Sequence, residues 1–248
     1  MIIQTTQNPI LELIEVLKSW DLLLSGFLLT LWLYVWALLI GFSLGLILCV
    51  LRQYGGLISS RIATLYIEII RGTPLLAQLY FIYFLPNSLG ITIDIPIIRT
   101  SFKIGQSPLT LMDYPIFVGI LTLGLNSAAY QAEYLRGAII SVGTEQLEAA
   151  RSLGMSRLTG IQRVILPQAL RRVIPAWSNE AAYLPKYTVL VYFIGGVQEI
   201  FYQADIIAHR TFFILTTYVI IALIFLITIT IISRGLDILH KRTMIPGL

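Results

Sequence analysis

An all-α membrane protein built from five spanning helices is the fold class this sequence predicts, and three observations predict it. First, 57% of its 248 residues are hydrophobic and only 12% are charged, where a soluble domain carries about 25% charge. The mean hydropathy is +0.83. Second, apolar runs without charge recur at about the 20 residues that a helix needs to cross a bilayer. Third, cations are shared unequally between alternate loops. The net charge of +4 is small and reads as loop bias, not as a nucleic-acid footprint, so no nucleic-acid partner is expected.

Residues 1–21 are expected to form an N-terminal amphipathic segment. Glu12, Glu15 and Lys18 interrupt what would be the apolar core of a cleavable signal peptide. In "NPILELIEVLKSW", Asn8 suits the helix cap and Pro9 the first helical position. Ile10, Leu13, Ile14 and Leu17 then share one face, suited to lie on a bilayer.

Residues 22–243 read as one transmembrane domain. Leu22–Leu51 is free of charge and gives the first span, about 22–51. The second, about 59–86, starts near Ser59 and ends at Pro86. An outer loop, 87–112, follows. Its "ITIDI" alternates like a strand and its "PIIRTSFKIGQSP" is rich in turn residues, so a flap or small hairpin is expected. The third span, about 113–142, carries the apolar run from Tyr114. The fourth, about 174–200, is apolar on average but interrupted by Pro175, Glu180, Pro185 and Lys186. The fifth, about 211–234, is dense in Ile and Leu.

An odd number of spans puts the termini on opposite sides. With residues 143–172 in the cytoplasm, the inner segments hold Arg52, Arg61, Arg151, Arg157, Arg163, Arg171, Arg172, Arg234, Lys241 and Arg242. The outer ones hold Lys18, Arg99, Lys103 and Arg210, ten cations against four. The N-terminus is therefore expected outside and the C-terminus in the cytoplasm.

The segment between the third and fourth spans, "EQLEAARSLGMSRLTGIQRVILPQALRR", is unlike its surroundings. Leu147, Ala150, Gly154, Leu158, Ile161 and Ile165 recur at helical spacing, opposite Arg151, Arg157, Gln162 and Arg163. A helix lying on the inner leaflet is one reading. Gly154 favours another: it ends one short helix and starts a second at an angle, making a projection suited to fill a groove on a partner.

Charges within the spans form two similar pairs, Glu68/Arg71 in "EIIRG" and Glu133/Arg136 in "EYLRG". Each sets acid and base three residues apart on one helix face. They serve either as local neutralisation with snorkelling arginines or as a latch on an inner gate. Cys49 is a lone thiol in an apolar run and reads as packing. His209 and His240 are isolated, and no Cys/His cluster suggests a metal. No phosphate loop of the GxxxxGK[ST] kind and no catalytic triad pattern occurs, so the chain is not expected to be an enzyme.

Glu148-Ala149-Ala150, then Gly154, then Ile165-Leu166-Pro167, resembles the EAA loop of ABC importer permeases. "RGTPLLAQLYFIYF", "LNSAAYQAEYLRGAI", "RVILPQALRRVIPAWSNE", "IGGVQEI" and "AHRTF" resemble the subfamily that takes up polar amino acids, over roughly residues 22–243. The resemblance implies a type I ABC importer permease fold in the cell membrane. It implies that Glu148, Ala149, Ala150, Gly154, Ile165, Leu166 and Pro167 couple the chain to a separate cytoplasmic ATPase dimer. That partner would hold ATP and Mg, leaving this chain without a cofactor. It further implies a second permease copy or homologue, an extracytoplasmic solute-binding protein, membrane lipid around the bundle and an amino-acid substrate.

On that reading Gln78, Asn126 and Ser127 either contact the substrate's amino and carboxylate groups or bond helix to helix. Lys186, Tyr187 and Thr188 lie in the broken fourth span, where transporters commonly bind polar solutes. Lys186, Thr188 and Leu190 match the subfamily's pattern, whereas Tyr187 replaces its Asp or Asn, Val189 its Ser, and Pro185 is unusual. Loss of the acid weakens the case for a basic amino acid. Tyr187 either meets an apolar side chain of the solute or packs, and an opine-like or sulfur-containing solute is a close variant. A paired permease, not this chain, holding the solute is a further option. Two other classes compete: an ATP-independent secondary transporter using Glu133 or Glu180 as a proton site, and a scaffolding subunit with no pathway, against which the interrupted fourth span argues.

Overall fold

The structure, a computed structural model, describes residues 8–104 and 107–243. Residues 1–7 of the N-terminal segment and Gly105 and Gln106 of the outer loop lie outside the described residues. In order, the helices are α1 (Pro9–Leu17), α2 (Trp20–Tyr54), α3 (Leu57–Gly72) and α4 (Leu75–Ser88). Strands β1 (Ile98–Ile104) and β2 (Ser107–Met112) follow, then α5 (Tyr114–Val142), α6 (Glu145–Ser152) and α7 (Arg157–Gly160). After a π-helical turn over Ile161–Ile165 come α8 (Leu166–Arg172) and α9 (Ile174–Tyr187). A 3-10 segment over Thr188–Ile194 leads to α10 (Ile200–Thr211) and α11 (Ile214–Thr243). The helix within Trp20–Tyr54 and that within Ile214–Arg242 are long and apolar enough to cross a membrane.

The chain forms two compact units. One takes the residues up to Val35 with Leu79–Ile120 and Pro185–Thr228; the other takes Trp36–Gln78, Leu121–Leu184 and the residues from Ile229 on.

In the first unit, the Asn8 side chain accepts the Ile10 N–H at 3.1 Å and Pro9 opens α1. Ile10, Leu13, Ile14 and Leu17 are exposed, while Val16 is fully buried with Leu23, Ile200, Ala204, Ile207 and Ile221. One side of α1 is thus anchored in protein and the other is left apolar and open. Thr216 Oγ1 donates to Glu12 at 2.5 Å and adds a polar tie to that anchor. The hairpin β1–β2 is antiparallel, with Ile98 opposite Met112 and Ile104 opposite Ser107. "ITIDI", expected to alternate as a strand, is irregular instead, and pairing starts only at Ile98. Alternation marks a strand only where a partner edge is available. Trp32 Nε1 donates to the Leu111 carbonyl at 2.9 Å, which ties β2 to α2.

The second unit packs α3, α5, α8 and part of α2 around Leu48, Cys49, Ile67, Ala128, Ala132, Leu135, Ile139 and Ile165. Small residues set the approach of α2 to α5. A Cβ on Gly41 would stand 2.5 Å from Gln131 Nε2 and 2.9 Å from Ser127 Oγ; on Gly45 it would stand 3.0 Å from the Ala128 carbonyl oxygen. Gly41 and Gly45 are four apart, the spacing that lets membrane helices come close through a groove of missing side chains.

The interruptions fall elsewhere than expected. The second span is two helices, because Pro74 lacks an N–H and holds Thr73 extended at φ −119°, ψ 146°. Its second helix does not stop at Pro86 but runs on to Ser88 with Pro86 inside. Pro185 also lies within a helix and does not end it at Leu184. The Pro185 carbonyl accepts from Thr188 Oγ1 at 2.7 Å, where the coil tightens to 3-10 geometry. The break falls at Gly195-Gly196, a pair whose sequence allowed either close packing or a break; both sit at positive φ, +76° and +79°, which side-chain-bearing residues rarely adopt. Residues 201–210, expected to link two spans, lie within the separate helix α10. The buried Glu199 carboxylate caps it, accepting from the Phe201 and Tyr202 N–H groups at 2.8 Å.

Candidate functional site

The segment 143–172 is a set of short helices with a sharp corner. Gly154 sits at φ +85°; its N–H bonds the Arg151 carbonyl at 2.9 Å, and the Met155 N–H bonds the Ala150 carbonyl at 3.1 Å. This pair of bonds is the Schellman stop, which needs a left-handed residue and therefore glycine. Ser156 then caps α7 through the Thr159 N–H at 3.2 Å. Pro167 gives no N–H to the ladder, and the turn before it widens, with the Leu166 N–H reaching back to the Ile161 carbonyl.

The corner divides the expected coupling residues. Ala150 and Ile165 are buried, with Leu147 and Leu166 packed on the second unit's core. Glu148, Ala149, Gly154 and Pro167 are exposed. Leu158 was read onto the buried face but is 62% exposed, and Leu153, which periodicity did not single out, is 82% exposed. The left-handed turn shifts the helical phase, so a face counted through Gly154 does not continue beyond it. Gly160 takes the inner place: a Cβ there would meet Leu147 Cδ1 at 2.8 Å.

The two charge pairs are not equivalent. Glu133 and Arg136 pair at 2.9 Å along α5. Among the described ion pairs Glu68 does not meet Arg71, as its i+3 spacing suggested. Arg52 of α2 bonds Glu133 and also reaches Glu68 at 3.5 Å. Arg71 lies 3.9 Å from Glu133 and stacks over the Tyr130 ring at 5.4 Å. Glu133, 16% exposed, is therefore shared by three guanidinium groups on three helices. Arg52 was legible in sequence only as an inner-loop cation.

The polar residues of α5 belong to two buried sets. Gln78 Nε2 donates to the Ile70 carbonyl at 2.7 Å, the acceptor that Pro74 cannot serve, and to Thr73 O and Oγ1 at 3.0 and 2.8 Å. Its Oε1 accepts from Asn126 Nδ2 at 3.0 Å. Gln78 thus repairs the helix break and ties it to α5. Next to it, Trp177 Nε1 donates to Gln131 Oε1 at 2.7 Å, Gln131 Nε2 to Ser127 Oγ at 2.9 Å, and Ser127 Oγ to Glu180 Oε1 at 2.5 Å. All donors in this chain point the same way and end on a carboxylate that is 4% exposed. Aligned bonds polarise one another and hold the acid in place. Gln131 and Trp177 were missed in the sequence; the i, i+4 polar spacing of Ser127 and Gln131 was their signal.

Lys186, Tyr187 and Thr188 belong to the first unit. Lys186 and Tyr187 are exposed, and Thr188 is buried. Consecutive residues point apart because the helix tightens between them.

Buried polar ladders and a shared carboxylate among long apolar helices suit a membrane-embedded chain with a function inside the membrane. The comparisons with known proteins make that specific. The family described as binding-protein-dependent transport system inner membrane component matches residues 37–245. The glutamine transport system permease protein GlnP of Escherichia coli is 34% identical over 224 residues, covering 90% of this chain and 94% of that one. The nopaline transport system permease protein NocM of Agrobacterium fabrum is 33% identical over 219 residues, 88% and 86% of the two chains. Among solved structures, an amino acid ABC transporter crystallised with histidines superposes with a TM-score of 0.76 at 34% identity, over 91% of this chain and 96% of that one. The inward-facing MetNI methionine ABC transporter gives 0.60 at 19% identity, over 91% and 94%, a likeness of fold. The chain belongs to the inner membrane component family of binding-protein-dependent transport systems: it is an integral membrane permease of the ABC transporter class.

Proposed function

We propose that this chain lines the translocation path of an ATP-driven amino-acid importer, and that residues 143–172 dock on a separate cytoplasmic ATPase. The proposed topology has five spans, with the N-terminus outside and the C-terminus in the cytoplasm. The relatives for glutamine and nopaline support the solute class. The observation that carries the coupling role is the corner at Gly154. Leu153 and Leu158 stand exposed on it, while Ala150, Ile161 and Ile165 root the same segment in the core. Apolar side chains held out on a rigid, polar-faced knob suit a complementary groove on a partner. Movement of the groove is then passed to α5 and α8, on which the knob is rooted.

In this reading the buried Glu180–Ser127 pair offers an anionic contact for a solute ammonium group, with Asn126 beside it. Gln78 positions Asn126. Tyr187 replaces the acid of the subfamily's pattern, which weakens the case for a solute with a cationic side chain. A second permease chain and an extracytoplasmic binding protein complete the transporter. The decisive experiment co-expresses the chain with an ATPase partner and measures solute-stimulated ATP hydrolysis in liposomes. Leu153→Arg is expected to abolish co-purification of the ATPase and to leave the permease folded. Retained co-purification and normal solute-stimulated hydrolysis would refute the docking role.

A further inference from the structure

On the reading that Glu180 is the solute's anionic contact, we propose that Trp177 of α9 and Gln131 of α5 are positioning residues for it: the indole fixes the direction in which the buried hydrogen bonds run, and that direction offers one free carboxylate oxygen to the ammonium group of the solute. An indole N–H donates and never accepts. At 2.7 Å from Trp177 Nε1, the Gln131 amide must therefore present its oxygen. The amino end of the amide is then turned the other way, 2.9 Å from Ser127 Oγ and 3.5 Å from the Leu38 carbonyl of α2. A carbonyl only accepts. A pure donor on one helix and a pure acceptor on another thus hold the amide in one of its two orientations. Gln131 and Ser127 are fully buried, so no water stands by to replace a bond that is lost.

The direction decides where the single Ser127 hydroxyl hydrogen goes. The oxygen accepts from Gln131, so the hydrogen is left for Glu180 Oε1 at 2.5 Å. With the amide turned over, Gln131 Oε1 would face Ser127 and draw that hydrogen to itself. The hydroxyl would then meet the carboxylate with lone pairs alone, and two oxygens so close without a hydrogen between them repel. In the observed direction Oε1 is pinned, and Oε2 has no hydrogen-bond partner among the described residues, in a side chain that is 4% exposed. A buried carboxylate oxygen is costly without a donor, and an ammonium group brings both donors and a matching charge. One free oxygen suits that single-point contact. A guanidinium fork uses both oxygens of a carboxylate for its paired bonds, and Ser127 already holds one. The chain of bonds therefore selects an ammonium over a guanidinium at this contact.

The test uses the full chain assembled with its transporter partners in lipid nanodiscs. The probe is whichever standard L-amino acid, each supplied alone, most stimulates ATP hydrolysis. Trp177→Phe, which frees the amide to turn, is expected to raise the KM for that amino acid about tenfold, as for a lost hydrogen bond to a charged group, with kcat little changed. Gln131→Glu accepts from both neighbours, draws the Ser127 hydrogen away from Glu180 and is expected to raise KM further. Gln131→Leu leaves no amide to orient, so adding Trp177→Phe to it is expected to change KM by less than about twofold. A spectroscopic readout separates positioning from mere packing. In the 5-fluorotryptophan-labelled chain, the Trp177 resonance, identified by its loss in Trp177→Phe, is expected to shift on saturation with the probe. The shift is expected to vanish in Ser127→Ala, where the path from Glu180 is cut. A parental KM in Trp177→Phe overturns the proposal. So do independent, multiplying effects of Trp177→Phe and Gln131→Leu, and so does a fluorine shift that survives Ser127→Ala. If no amino acid stimulates hydrolysis, the solute reading itself fails, and the positioning role falls with it.

Discussion

At the scale of single residues, Glu133 shows how one carboxylate organises charge in an apolar bundle. Arg52, Arg71 and Arg136 reach it from three helices, so its removal leaves three cations facing one another in partly desolvated space. Breaking a fully buried pair costs about 3–5 kcal/mol. Arg71 and Arg136 are only partly buried, so Glu133→Gln is expected to cost on the order of 2 kcal/mol, read as a lower midpoint in thermal unfolding in detergent. Arg52→Gln is expected to cost more than Arg71→Gln, because Arg52 makes the closer contact and also holds Glu68. Equal effects of the two substitutions would show that the contact with Arg52 carries no special weight. If the cluster latches a gate, Glu133→Gln and Arg136→Gln also raise basal ATP hydrolysis in the assembled transporter; unchanged rates would leave the cluster a structural neutralisation only.

Elements meet through residues that lack side chains. Gly41 lets α2 approach the Ser127–Gln131 step of α5, and an added methyl would lie inside contact distance of both polar atoms. Gly41→Ala is expected to destabilise by about 1–3 kcal/mol through overpacking and to disturb the bond from Ser127 to Glu180. Gly137 on the same helix has open space around it, so Gly137→Ala is expected to hold or raise the unfolding midpoint, since alanine favours helix by about 1 kcal/mol. A midpoint for Gly41→Ala at or above that of Gly137→Ala would contradict the close approach. At the corner of residues 143–172, Gly154→Ala is expected to cost about 1–2 kcal/mol for the left-handed backbone and, if the segment docks as proposed, to weaken ATPase binding more than Gly160→Ala does. Gly160 faces only the flexible tip of Leu147 at close range, which can turn aside. An ATPase affinity in Gly154→Ala equal to that of the parent chain would show that the corner is not needed for docking.

For the whole molecule, the proposed topology rests on charge. Ten cations in the inner segments and four in the outer ones favour a cytoplasmic C-terminus. A reporter fused after the final residue is expected to be active only in the cytoplasm, and activity outside the cell would reverse the orientation and remove residues 143–172 from any cytoplasmic ATPase. The two units share the long helices α2, α5 and α11, each of which passes from one unit into the other.

Composition, spacing and backbone preference alone determined that this is a helical membrane protein, that Asn8 caps its first helix and that Gly154 turns a corner. These properties are local: transfer to a bilayer depends on the residues of one segment, and a left-handed turn needs a glycine whatever surrounds it. The resemblance carried by Glu148-Ala149-Ala150, Gly154 and Ile165-Leu166-Pro167, not composition, pointed to the permease family to which the chain belongs. Tertiary structure alone decided which polar groups meet. Glu68 and Arg71 have the same spacing as Glu133 and Arg136, yet only the second set pairs along its helix, because Arg52 approaches from α2, 81 residues from Glu133. Gln78 found Asn126 at a separation of 48 residues, and Ser127 found Glu180 at 53. In an apolar medium a polar group takes whatever partner the packing of helices brings within reach, and that neighbour is not written in the residues on either side of it.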